Sequence, residues 1–149
     1  MSTTNPIQVQ ALLRDVARAG VYHLPQTERE ELIAAAESCG YFVFFVNLAK
    51  VQDKSGLLDV IARDMAFPEW FGSNLDALAD CLGDLGWRPA EGYLVLLEHC
   101  DAINVGARDE FIAVLNAFEA AANEWREQSI PLWCLVDMRA DGIAWLPEF

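Results

Sequence analysis

Positive charge is scarce in this sequence: ten Lys and Arg residues stand against 23 Asp and Glu, leaving a formal charge of −13 over 149 residues. Phosphate backbones and anionic lipid surfaces would repel such a chain, which argues against direct nucleic-acid binding and against a membrane role. Acidity also serves solubility, so charge alone does not establish a cationic partner. Long apolar runs are missing, 41–46 being typical of the short ones present, and the start Met-Ser-Thr-Thr-Asn-Pro has neither a basic n-region nor an apolar h-region. A cytoplasmic location is expected. Cysteine is limited to Cys39, Cys81, Cys100 and Cys134 without a C-x-x-C pair, and the two histidines, His23 and His99, lack a zinc-site spacing. Free thiols, no metal and no cofactor follow as expectations. Repeats, low-complexity tracts and linkers are absent too, and a chain of this length buries about 68–70% of its unfolded surface without needing disulfides.

Apolar periodicity is what the chain does have. Ile7, Val9, Leu12, Leu13 and Val16 predict an amphipathic helix over 7–19 that ends at Gly20. A second helix is expected from Thr27 as N-cap with Glu30 as its capping-box partner, through Leu32, Ile33 and Ala36, to a stop at Gly40. These two form a helical hairpin over 1–40, either packed on the body or serving dimerisation or docking. Residues 41–48 are apolar on both faces, as in a central strand of a covered sheet. Asp53 or Ser55 can cap a helix carrying Leu57, Leu58, Ile61 and Met65 up to Pro68. Two further apolar strands, 93–97 and 131–136, flank a long helix marked by Phe111, Ile112, Leu115, Phe118, Ala122 and Trp125. Strands separated by helices imply parallel pairing with right-handed crossovers. The expected fold is α/β, a small three-layer domain over 41–149 with a parallel sheet of about three strands, plus the N-terminal extension 1–40 packed as one globular unit. The apolar tail 142–149, with Ile143, Trp145, Leu146 and Phe149, either packs back or supports weak self-association.

The chain is organised around 67–87. Pro68 ends the preceding element, Gly72 permits a positive φ, and Ser73 reads as the N-cap of a helix with Asp76 three residues on. Leu75, Leu78 and Leu82 form its buried stripe, which leaves Asp76, Asp80 and Asp84 stacked one turn apart. Like charges at this spacing cost about 0.2–0.5 kcal/mol per pair, and nothing within the helix compensates. A cationic partner would.

The run Pro68-Glu69-Trp70-Phe71-Gly72-x-Asn74-Leu75-Asp76-Ala77-Leu78-x-Asp80-Cys81-Leu82 resembles the signature of the barstar-like family of intracellular ribonuclease inhibitors. Element order extends the resemblance from about residue 41 to 138. It implies a barstar-like fold and a protein that plugs the active site of a basic ribonuclease without catalytic residues of its own. The partner-binding residues it implies are Trp70, Gly72, Asn74, Leu75, Asp76 and Asp80, with the two carboxylates mimicking RNA phosphates and Trp70 acting as an aromatic hot spot. The chain departs from the family pattern in four places. Ala79 replaces a tryptophan between the helix aspartates, and Trp70 and Phe71 replace a tyrosine pair. A contacting glutamate falls on Ala120, with Glu119 and Glu124 as neighbours, and a contacting aromatic falls on Leu85, with Trp87 two residues on. The contact surface is therefore recut, and the nuclease with it.

Three other readings compete. Paired carboxylates can do acid–base work, but here they sit on one exposed helix face with no histidine nearby in sequence. Glu98-His99-Cys100-Asp101 at a strand end offers metal-ligand types and is better explained as ordinary strand-end structure. The alternative function is an oligomeric interaction module of the same fold with no nuclease partner.

Overall fold

The computed structural model describes residues 5–68 and 74–137 and the backbone of 144–145. The sequence readings at Trp70, Phe71, Gly72 and Ser73, and at the side chains of the apolar tail, lie outside these residues.

Helix α1 (Pro6–Arg14) begins at Asn5, whose side chain accepts from the Ile7 N–H over 2.9 Å, with Pro6 where no N–H is required. It is shorter than its apolar spacing predicts. The chain leaves the α-helix at Asp15 and tightens into a 3₁₀ turn over Val16–Arg18, so Gly20 does not end it. Apolar spacing cannot separate the two, because side chains three apart share a face in both helix types. Ile7 is accordingly off the stripe of Val9, Leu12 and Leu13, at 76% exposure.

Helix α2 (Arg29–Ser38) follows another 3₁₀ turn, Gln26–Glu28, set up by Pro25. Thr27 lies inside that turn and donates to the Glu28 carboxylate instead of capping the helix; Glu28 holds the cap position without a side-chain bond. The C-terminus behaves as expected. Gly40, at φ 78°, donates to Glu37 O over 3.1 Å while Tyr41 N–H donates to Ala36 O over 2.9 Å, the paired bonds of a Schellman ending that needs a left-handed residue.

Among the described residues five strands make one parallel sheet: β1 (Val21–His23), β2 (Phe42–Asn47), β3 (Tyr93–Glu98), β4 (Leu132–Val136) and β5 (Ala144–Trp145), in the order β2-β3-β4-β1-β5. The fold class is the expected α/β one, with helices on both faces. Two strands more than the apolar runs indicate are present, since segments of three and two residues are too short to show an alternation. β2, expected at the centre, is an edge strand. Its apolar pattern reflects helices packed on both of its faces, which an edge position also allows, and its Phe45 remains 47% exposed under the Arg29 guanidinium.

Alternate residues of β3 and β4 feed two cores. Tyr93, Val95, Leu97, Leu132, Cys134 and Val136 face helices α3 (Lys54–Asp64), α4 (Leu75–Asp84), α5 (Asp101–Gly106) and α6 (Arg108–Glu127). Leu94, Leu96, Trp133 and Leu135 face α1 and α2 on the other side. Polar bonds reinforce that second layer: the Trp133 indole donates to Leu13 O over 2.9 Å, and the Arg126 guanidinium donates to Val16 O and Ala19 O.

Candidate functional site

Helix α3 prepares the approach. Asp53, not Ser55, caps it by accepting from Gly56 N–H over 2.8 Å. It stops four residues before Pro68: Ala66 adopts φ 55°, Ala66 N–H donates to Arg63 O and Phe67 N–H to Ala62 O. This is the same left-handed ending as in α2, formed without glycine, so the proline follows a stop already made. Phe67 then sets its ring edge-on to Trp87, 5.7 Å between centroids.

Helix α4 starts one residue later than expected. Its N-cap is Asn74, whose side chain accepts from Ala77 N–H over 2.8 Å, rather than Ser73. Both residue types cap well, so the sequence did not separate them. The consequence falls on Asp76, which becomes a first-turn charge beside the helix N-terminus and not a capping-box partner, because Ala77 now occupies the reciprocating position. Leu78, Cys81 and Leu82 are fully buried and Leu75 is half-buried against the same core.

Asp76, Ala79, Asp80 and Asp84 are all exposed. No described residue forms an ion pair with any of the three aspartates. Asp76 sits favourably at the positive end of the helix. Asp80 and Asp84 do not: they occupy its second half, where the macrodipole is negative, and the last turn has no basic residue. Beneath them, burial pushes the Cys81 thiol up to about 11, with the Asp80 and Asp84 charges adding to the effect. The thiol stays protonated, which makes it packing and not a nucleophile.

A shallow hollow of about 420 Å³ opens between α4 and α6, lined by Ala79, Asp80, Gly83, Asp84 and Glu124. Glu124 was only a neighbour of Ala120 in the sequence; its signal was position, since it precedes Trp125, and the Trp125 indole donates to Leu82 O over 2.7 Å. Glu119 goes elsewhere, accepting from Val21 N–H over 3.3 Å beside the N-terminal strand. The aromatic candidate past the helix is engaged as well: Trp87 is half-buried, donating to Met65 O over 3.3 Å. Leu85 is fully buried and closes α4 at φ 48°.

The strand-end group offers no coordination sphere. Glu98 holds Arg29 through two 2.9 Å bonds, and the buried Cys100 thiol donates to Leu97 O. Among the described residues no cluster of three or more His, Cys, Asp or Glu could hold a metal, and no helix is long and apolar enough to cross a membrane. The four cysteines are free thiols.

The family model described as Barstar (barnase inhibitor) matches residues 41–137, more than half of the chain, and the chain belongs to that family. A search of curated proteins returned no match. The matched span contains α3, α4, α6 and the strands β2, β3 and β4; α1, β1 and α2 precede it.

Proposed function

We propose that this member of an inhibitor family binds a basic ribonuclease in the cytoplasm, occludes its active site and performs no chemistry. The observation that carries the reading is the exposed carboxylate row of α4, set within the family match, with which no described residue forms an ion pair and whose Asp80 and Asp84 run against the helix dipole. Charge placed where the free protein gains nothing from it is accounted for by a cationic site elsewhere. Asp76 and Asp80 would meet the basic groups that hold RNA phosphates, and Glu124 adds a third carboxylate from α6. Asn74 and Leu75 act one step back, the first by capping α4 and the second by anchoring its first turn. Trp70 is assigned the aromatic contact of the preceding loop and Gly72 its turn.

The test is RNA cleavage by a purified basic ribonuclease of the barnase type, titrated with the chain. Stoichiometric loss of activity, relieved by Asp80→Ala, supports the reading. Full nuclease activity at a large excess of the chain, across a set of basic ribonucleases from the source cells, would remove it.

A further inference from the structure

The two edges of the sheet are unlike. β5 is two residues long, too short to template another strand. β2 runs for six, Phe-Val-Phe-Phe-Val-Asn, and lacks the charges, proline and bulges that usually blunt an edge. The N–H groups of Phe42 and Leu48 donate toward β3, to Gly92 O and Glu98 O over 3.0 and 2.9 Å, so alternation turns the N–H and C=O groups of Val43, Phe45 and Asn47 outward. The donors at either end of this outward row are occupied. Asn47 N–H donates to the Asp64 carboxylate over 3.1 Å, and Tyr41 N–H donates to Ala36 O over 2.9 Å. Between them lies a window of two residues, Val43 and Phe45, whose outward groups no described residue bonds.

We propose that this window pairs with the same window of a second copy of the chain, β2 against β2, antiparallel about a two-fold axis through Phe44. The window is complementary to itself. Around that axis Val43 of one copy lies opposite Phe45 of the other, and each of the two pairs exchanges two N–H···O=C bonds without breaking the bonds at Tyr41 and Asn47. The side chains agree with this register. The half-exposed Phe45 ring, on the α2 side of the sheet under Arg29, gains a β-branched neighbour directly across the join. Charge favours a second copy here and nowhere more acidic. β2 and α3, residues 42–64, carry Lys50, Lys54 and Arg63 against Asp53, Asp59 and Asp64, a formal charge of zero within a chain of −13. Antiparallel pairing also sets the C-terminal end of one β2 beside the N-terminal end of the other. The exposed Lys50 lines a hollow with Asn47 at the first end, and the exposed Glu91 is held at the second by a bond from its N–H to Gly40 O. Neither forms an ion pair with a described residue. The two-fold axis brings them together twice, while Arg88 at the same end stays over the Phe42 ring.

The proposal is independent of the nuclease reading, since it uses no residue of α4. Sedimentation of the full chain across the micromolar range tests it, together with hydrogen exchange at a low and a high concentration. The mass should climb from 16.6 kDa toward twice that value, and the Val43 and Phe45 amides should gain protection at the higher concentration. Phe45→Glu puts a carboxylate on the join, beside Arg29 in the single chain, and Val43→Pro deletes a donor that the single chain does not use. Each should raise the dissociation constant at least about tenfold. Lys50→Glu alters only an exposed side chain and should weaken the dimer about fivefold or more, with Lys50→Glu/Glu91→Lys restoring it. A mass that stays at one copy throughout the range would overturn the proposal. A dimer indifferent to both edge variants, amides at 43 and 45 that exchange equally at both concentrations, or a Lys50→Glu loss that Glu91→Lys leaves unrepaired would overturn it as well.

Discussion

The indole N–H of Trp125 donates to the main-chain carbonyl of Leu82 over 2.7 Å, inside the buried contact between α6 and α4. Leu82 lies in the last turn of α4, where the helix ends before a further N–H can meet its carbonyl. One bond thus satisfies an orphan acceptor and fixes the angle at which the acidic face is presented. Trp125→Phe should keep most of the ring packing and strand the carbonyl, at a cost of about 1–3 kcal/mol. For a chain of this size that is a fall of roughly 2–4 °C in Tm for each kcal/mol, read by thermal melts of the two proteins. An unchanged Tm would show that the bond contributes nothing.

Asp80→Ala should separate binding from stability. The free protein loses a like-charge neighbour of Asp76 and Asp84 and a charge misplaced on the helix dipole, so its Tm should hold or rise slightly. On the proposed function, affinity for a nuclease should fall by about 2–5 kcal/mol, a general range for breaking a buried charge pair that measurements on barnase and barstar helped to set. Association should also slow with added salt, since steering between opposite charges is screened over about 8 Å at physiological ionic strength. Calorimetry and stopped-flow mixing at two salt concentrations measure both.

Ala66 holds a left-handed conformation at φ 55° on an exposed turn. A left-handed L-residue costs about 1–2 kcal/mol, and glycine removes most of this while adding its own unfolded-state entropy. Ala66→Gly is expected to stabilise the protein by about 0.5–1 kcal/mol in urea unfolding. A loss of stability would mean that the methyl contributes packing that outweighs its strain.

The 41–149 fragment is expected not to fold as a soluble monomer. Removing 1–40 uncovers Leu94, Leu96, Trp133 and Leu135 across a whole sheet face and leaves the Trp133 indole without its acceptor on Leu13. The fragment should aggregate or bind a hydrophobic dye, and co-expression with 1–40 should restore a folded complex. A monomeric fragment with cooperative unfolding would make the extension dispensable.

Burial raises the pKa values of Cys81, Cys100 and Cys134, the first to about 11. Their folded-state pKa values lie above those of an unfolded thiol, about 8.5, so the folded chain keeps protons that the unfolded chain releases. The stabilisation is fully present below about pH 8.5 and is lost as pH climbs toward 11, at up to about 1.4 kcal/mol per pH unit for each thiol. Urea midpoints should therefore be flat from pH 7 to 8 and decline above 9. Under native conditions an alkylating reagent should reach the half-buried Cys39 first and all four thiols only after unfolding.

The sequence by itself determined the class of the fold and the identity of the acidic face. Leu78 and Leu82 had to turn inward because burying them is the largest local gain, and helical spacing then placed Asp76, Asp80 and Asp84 together on an outer side. Three apolar strands alternating with helices likewise left little choice beyond a parallel α/β sheet. What periodicity could not carry was decided by tertiary contact. The strands Val21–His23 and Ala144–Trp145 exist because β4 and then β1 offered unpaired edges, and the apolar β2 became an edge because strand order depends on crossovers that residue type does not encode. Asn74 displaced Ser73 as the cap although both can make the bond. Glu124 joined Asp80 and Asp84 only when α6 packed on α4 through Trp125 and Leu82, across more than forty residues of chain that no local pattern spans. Local chemistry fixes which side of an element is buried; only the packed whole decides which outer sides face each other.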